Sequence, residues 1–337
     1  MPDPVLSYAD PDGPGIARRR AGRGWAYFDP NGIRITDRPE IDRLKAIALP
    51  PAYGRCWFCP TPEGHIQAIG YDDRGRRQYR YHPRFRATQE AEKYAGCVDF
   101  GRALPAIRQR VEADLARPGV DRRTAIAAIV RLLDLGHVRV GNDAYAKANG
   151  SYGATTLRNR HARVKGAMLH LRYRGKSGRM QELAIADRRL AIIVRRCQDL
   201  PGQRLFQYVD EQGERHPVTS TDVNDYIRAS TGGEFTARHF RTWGASVIAF
   251  RTIVEAGEEG VDITRMLAPV AEALGNTPAI SRKSYVHPML VEWAKAGGLK
   301  GEAPPRLPRA TRWLSAAERG LVAFLDEVAT TSGKMAA

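Results

Sequence analysis

Apolar and polar positions divide the chain into two regimes. Up to about Gly96, short apolar stretches (GWAYF, GIRIT, CWFC and HIQAIGY) alternate with turn signals rich in Gly, Pro and Arg, a pattern that predicts short strands of an antiparallel sheet. A helix is predicted within PEIDRLKAIAL, where Ile41, Leu44, Ile47 and Ala48 recur at helical spacing, and another near RATQEAEKYAG. ARRRAGR, from Ala17 to Arg23, reads as a flexible basic arm. After Cys97 the period becomes helical, in LPAIRQRVEADL and then in DRRTAIAAIVRLLDLG, whose Ile126, Ile129, Leu132 and Leu133 form a stripe ended by Gly136. The helical period breaks once. Alternation in MLHLRYR, a turn at GKSG and a return strand predict a small three-stranded sheet. Helices resume at ADRRLAIIVRRC, STDVNDYIRAS and TARHFRTWGASVIAFRTIVEAG, and Ser315 with Glu318 forms a capping-box pattern ahead of a last amphipathic helix. The expected fold is α+β, with a small β-rich N-terminal domain over residues 1–96 and a larger, mainly α-helical domain over 97–337 that holds the small sheet.

Composition narrows the partners. The chain has 337 residues with 53 Lys and Arg against 37 Asp and Glu, a formal charge of +16, which favours a polyanion such as nucleic acid. Neither a long apolar run nor the layout of a signal peptide at MPDPVLSYADPDGPG is present, so a cytoplasmic, nucleoid-associated location is expected, with no membrane partner. Cys56, Cys59, Cys97 and Cys197 are too scattered for a disulfide framework, and CWFC lacks the second ligand pair a zinc site needs. RGKS looks like the end of a phosphate-binding loop, yet the position where that motif needs its first glycine is His170; GPGIAR lacks the third glycine of a dinucleotide fingerprint. Neither a metal nor a nucleotide cofactor is expected.

The stretch ALGNTPAISRKSY stands out. Thr277 can cap a helix that starts at Pro278, and Tyr285 follows two turns later beside Arg282 and Lys283. A surface helix with its tyrosine resting on the core would give the same string. Four more positions carry polar groups where element ends could aim them at one point: Arg139 in GHVRVG, Lys176 in GKSG, Arg241 in RHFRTWG and Asn276 in GNTP.

With GRRQYRY, VRVGNDAY, GATTLRNRH, RGKSG, FRTWG and GNTPAISRKSY in this order from about Asp29 to Tyr285, the chain resembles the type IB DNA topoisomerases of the compact, poxvirus-like bacterial branch. The resemblance implies a monomer that relaxes supercoiled duplex DNA. Tyr285 would be the nucleophile that forms a 3′-phosphotyrosyl link, Arg139 and Arg241 would hold the non-bridging phosphate oxygens, and Lys176 would protonate the departing 5′-oxygen. Asn276 stands where the family commonly has histidine; an amide can donate to a phosphate oxygen but cannot titrate. DNA contacts are implied for Arg76, Arg77, Gln78, Tyr79 and Tyr81 on the N-terminal sheet, and for Gly141, Tyr145, Thr156, Arg158, Asn159, Arg282 and Lys283 around the catalytic groups.

The chemistry fits these residue types. A phenol has a pKa near 10, so about one in a thousand is ionised at neutral pH unless cations favour the phenolate; Arg282, Lys283 and the two phosphate-binding arginines could supply that field. The leaving alkoxide needs a proton, which a desolvated lysine crowded by arginines could give. Two rivals remain open. A tyrosine recombinase shares these groups but typically has histidine three residues before its second arginine, where this chain has Arg238. A non-catalytic duplex-binding protein on the same scaffold would bind in a salt-dependent way with no covalent adduct.

Overall fold

In the computed structural model, residues 5–73 and 75–335 are described, excluding the side chains of residues 90–93, 95 and 331–335. Residues 1–4 lie outside that description. The chain forms two compact units, Met1–Lys93 and Tyr94–Ala337.

The first unit is a five-stranded antiparallel sheet in the order β2-β1-β3-β4-β5, made of β1 (Ile16–Ala21), β2 (Gly24–Phe28), β3 (Gly54–Phe58), β4 (Ile66–Tyr71) and β5 (Arg77–Tyr81). Helix α1 (Arg38–Ala46) starts where the Asp37 carboxylate accepts from Glu40 N (3.0 Å), and its Leu44 joins Ile16, Tyr27, Leu49, Phe58 and Ala68 in a small core. The expected flexible arm is in fact β1. Arg18 donates to the carbonyls of Leu49 (2.8 Å) and Pro50 (2.5 Å), and its guanidinium lies 4.2 Å from the Trp25 ring centroid, so an arginine takes part in the packing. GIRIT forms only an isolated bridge from Arg34 to Phe28 rather than a strand.

Helix α2 (Pro83–Leu115) is continuous over 33 residues, so the two helices expected on either side of Cys97 are one. Apolar Phe100, Leu104, Ile107 and Val111 keep a buried stripe through Pro105. The second unit continues with α3 (Arg122–Gly136), α4 (Asp143–Asn149), the sheet β6 (Ala162–Lys165), β7 (Met168–Arg174) and β8 (Met180–Ala186), α5 (Arg188–Asp199), the short hairpin β9 (Gln207–Val209) and β10 (Arg215–Pro217), α6 (Ser220–Thr231), α7 (Ala237–Ala256), α8 (Ile263–Leu274), α9 (Pro278–Ser284), α10 (Pro288–Lys295) and α11 (Ala316–Met335). The three-stranded sheet is as expected: Leu169, Leu171 and Tyr173 face inward while His170, Arg172 and Arg174 face out. Helix α7 is buried through most of its first half, and α11 packs on it after the expected Ser315–Glu318 capping box, in which Ser315 N donates to Glu318 Oε2 (2.8 Å) and Glu318 N to Ser315 Oγ (3.2 Å). Among the described residues, no helix is long and apolar enough to cross a membrane.

Candidate active site

Two helix ends define the site. Helix α3 stops at His137, whose left-handed backbone (φ 48°) ends the helix, and α8 stops at Gly275 (φ 60°). The last carbonyls of a helix lack intrahelical donors and carry the negative end of its dipole, so a cation is favoured there. Arg241, only 4% exposed on α7, fills that role for both helices at once: Nη1 donates to the His137 carbonyl and Nη2 to the Leu274 carbonyl (3.1 Å). Its Nε is buried with no partner. Burial and the Arg139 charge pull the guanidinium below its ordinary pKa, partly countered by Tyr285, but the shift starts from a value too high for deprotonation.

Just beyond the helix ends stand the next groups, Arg139 two residues past His137 and Asn276 one past Gly275. Arg139 Nη2 donates to Asn276 Oδ1 (2.7 Å). Because arginine only donates, this bond fixes the amide orientation and leaves Asn276 Nδ2, a buried donor, without a partner.

Tyr285 closes the arrangement. Thr277 Oγ1 accepts from Ile280 N (3.2 Å) at the start of α9, Pro278 occupies the first turn, and Tyr285 ends the helix with its N–H on the Ser281 carbonyl (3.0 Å). The half-buried ring lies 4.7 Å from the Arg241 guanidinium carbon. Burial pushes the phenol pKa up, but the charges and hydrogen bonds of Arg241 and Arg139 outweigh it, and the net shift is downward. Arg282 and Lys283 are exposed on α9 and are not among the groups that act on the phenol, so the field expected from four cations comes from two. A second phenol, the buried Tyr173 of β7, feels the same two arginines, yet burial pushes it up to about 12 and keeps it protonated.

Lys176 departs from expectation. It sits in the turn between β7 and β8, beside Ser177 (φ 63°) and Gly178 (φ 77°), exposed and, among the described residues, without a hydrogen bond or ion pair. It is therefore not desolvated in this structure: the turn lies beyond the short strand β6, which pairs only with residues 168–171 of β7, so nothing in the sheet covers it.

The supporting loops explain several other positions. Arg139 O accepts from Ala154 N (2.8 Å) and Val140 O from Thr155 N (2.7 Å), and a Cβ on Gly153 would lie 2.7 Å from the Gly141 Cα. Gly141 (φ 103°) thus serves a close backbone approach. Thr156 is buried, and its Oγ1 accepts from Gly153 N (2.9 Å) while donating to Gly153 O (3.1 Å). Arg158 and Asn159 are half-buried, donating to Gln203 Oε1 (3.0 Å) and Gly202 O (3.1 Å), and Tyr145 on α4 is exposed.

In the first unit, Tyr79 and Tyr81 lie on one face of edge strand β5, 40% and 41% exposed, with rings stacked at 5.9 Å. Arg77 shares their face and pairs with Asp12 (2.9 Å); Arg76 pairs with Asp72 (2.7 Å). Gln78 was expected beside the tyrosines, but the two-residue period of a strand turns it to the opposite face, where its Nε2 donates to Asp72 Oδ2 (3.0 Å). Sequence reasoning missed the His137 and Leu274 carbonyls, since backbone acceptors leave no residue-type signal, and Tyr173, which RYRGKSG displays next to the named lysine.

His287, two residues past Tyr285, carries a separate pH dependence. It donates from N to Ser246 Oγ (3.0 Å), accepts from Met289 N at Nδ1 (3.3 Å), and burial pushes its pKa down to about 4. The unfolded imidazole takes up a proton near pH 6.5, so the associated stability is intact above about pH 6.5 and falls as pH drops toward 4, by roughly 2–3 kcal/mol. Urea midpoints measured across that window are expected to fall for the parent and to flatten in His287→Asn.

Comparison with known proteins fits this geometry. The family described as eukaryotic DNA topoisomerase I, catalytic core, matches residues 82–289, and the bacterial DNA topoisomerase IB N-terminal domain matches residues 24–72. The chain is 31% identical over 287 residues to the DNA topoisomerase 1B of Acanthamoeba polyphaga mimivirus, covering 81% of this chain and 85% of that one. To the DNA topoisomerase 1B of vaccinia virus (strain Copenhagen) it is 21% identical over 275 residues, 77% of this chain and 83% of the relative. A solved XerH site-specific recombinase in a post-cleavage complex aligns with a TM-score of 0.36 and 14% identity over 54% of this chain and 47% of that one, a likeness that carries no argument. The chain belongs to the type IB DNA topoisomerases.

Proposed function

We propose that this protein relaxes supercoiled duplex DNA by reversible cleavage of one strand at Tyr285. The observation that carries the reading is a half-buried phenol ring 4.7 Å from the Arg241 guanidinium, itself anchored on two helix ends, with Arg139 held by Asn276. The Tyr285 phenol gives up its proton to solvent and its oxygen attacks phosphorus, the bond from phosphorus to the 5′-oxygen breaks, and the 5′-oxygen takes a proton. A 3′-phosphotyrosyl ester remains. Arg241 Nε and Asn276 Nδ2, both buried and unpaired, are donors available to non-bridging oxygens whose charge grows in the transition state. The ester keeps the energy of the phosphodiester, so attack by the 5′-hydroxyl reseals the strand without ATP.

Lys176 is the proton donor in this scheme, and its turn moves onto the DNA to deliver it; the absence of side-chain bonds holding Lys176 supports such mobility. The face of Arg77, Tyr79 and Tyr81, together with exposed Tyr145, Arg282 and Lys283, contacts the duplex, while Arg158 and Asn159 keep their loop in place beside it. The protein works as a monomer on the nucleoid, with residues 1–96 as a DNA-clamping domain and 97–337 as the catalytic domain.

Supercoiled plasmid incubated with the protein in EDTA without ATP is expected to give a ladder of topoisomers. Joined heterologous duplexes with no ladder would favour recombination instead. Single-turnover cleavage is expected to rise with pH to a plateau whose midpoint lies below the ordinary phenol value of about 10, and Arg139→Gln to move that midpoint upward. Asn276→Ala removes one donor to the phosphate and frees Arg139, and is expected to slow cleavage about a hundredfold; a rate equal to the parent would remove Asn276 from the scheme.

A further inference from the structure

The C-terminal helix α11 begins 31 residues after the nucleophile, yet its first turn reaches the framework that holds Arg241. Glu318, 7% exposed, accepts from Arg108 at both oxygens (Nη2 to Oε1 2.7 Å, Nη1 to Oε2 3.1 Å). The same Oε1 accepts from Trp243 Nε1 (3.3 Å), and Trp243 is two residues from Arg241 on α7. Arg108 meets a second carboxylate, Asp134, through Nε (2.9 Å) and Nη2 (2.8 Å), and donates from Nη1 to the Trp313 carbonyl just ahead of α11. Asp134 lies three residues before His137, whose carbonyl receives Arg241. One guanidinium therefore references both the helix that carries Arg241 and the helix end that grips it. Trp243 has no slack, since a Cβ on Gly101 of α2 would fall 2.3 Å from its Cη2.

Arg108 with Asp134 and Glu318 forms a buried trio that carries one net negative charge. Burial pushes the Glu318 pKa up, but Arg108 and the Ser315 N–H and hydroxyl hold it below the usual range, so it stays ionised. Burying such a trio returns little net stability relative to a well-packed apolar cluster; what it adds is a fixed geometry.

We propose that Glu318 is a positioning residue for Arg241, acting through Trp243 and Arg108, and that α11 is in this way part of the cleavage apparatus. This rests on the reading of Arg241 as the phosphate-binding group. A small displacement of a group in line with the reacting atoms costs up to about a hundredfold in rate.

The test compares Glu318→Gln and Trp243→Phe with the parent and with Arg241→Ala, on one nicked-product suicide duplex under single turnover. Both variants are expected to cleave about ten- to a hundredfold more slowly at unchanged duplex affinity, with the pH midpoint of cleavage moved up toward that of a free phenol as Arg241 leaves Tyr285. A merely structural role lowers the urea midpoint but leaves the rate and pH midpoint of the folded protein at parental values, and that result overturns the proposal. Should Glu318→Gln not fold, Trp243→Phe, which keeps an aromatic ring and loses the N–H, distinguishes the two outcomes in the same way. If Arg241→Ala cleaves like the parent, the reading of the site itself has failed; if it is inactive while both variants match the parent, only the positioning role falls.

Discussion

Tyr285→Phe is expected to abolish relaxation, by more than about 10⁴-fold, because the substitution removes the one oxygen that bonds to phosphorus and leaves the rest of the site standing. The ring packs beside Arg241 and the backbone is held through Ser281 and Ser246, none of which needs the hydroxyl. Duplex affinity should therefore stay within about twofold of the parent, because the hydroxyl's partners are Arg241 and Arg139 while the ring and backbone contacts remain. Gel shift and plasmid relaxation on the same preparation measure both. Retained relaxation would remove Tyr285 as the nucleophile.

Arg241→Ala is expected to have the second largest effect. Loss of a fixed donor to the developing charge costs about 2.7–4 kcal/mol, roughly a hundred- to a thousandfold in cleavage rate. The carbonyls of His137 and Leu274 also lose their donor, so a drop in stability of about 1–3 kcal/mol should accompany the kinetic loss. Arg241→Lys should recover little of the rate, because one ammonium cannot span two helix ends and still present donors to a phosphate. Cleavage at the parental rate in Arg241→Ala, with only stability lowered, would make the arginine a structural cap and nothing more.

Much of this was legible in the residues. Period-two and helical patterns located the sheet of β6, β7 and β8 and most of the long helices, and Ser315 with Glu318 announced the start of α11. Arg139, Asn276 and Tyr285 are readable because each sits at or just beyond an element boundary marked by Gly, Thr or Pro, whereas Arg241 lies more than one turn inside α7. What escaped depends on geometry that residue types do not encode. The acceptors of Arg241 are backbone carbonyls; ARRRAGR is a strand because Arg18 finds carbonyls and a ring to pack on; Gln78 faces away from its neighbours because register decides sides. The environment of Lys176 was misjudged for a similar reason: a charged turn reads alike whether covered or bare. α2 reads as two helices because the pattern changes near Cys97, a change that the continuous buried stripe overrides.

The most direct measurement of the central claim is to mix the protein with supercoiled plasmid in EDTA without ATP, denature the reaction within its first turnovers, and map the attachment by peptide mass spectrometry. The account predicts DNA nicked in one strand, with a free 5′-hydroxyl and its 3′-phosphate esterified to Tyr285. Nicked DNA free of protein, or protein attached at a 5′ end or through another residue, would contradict it.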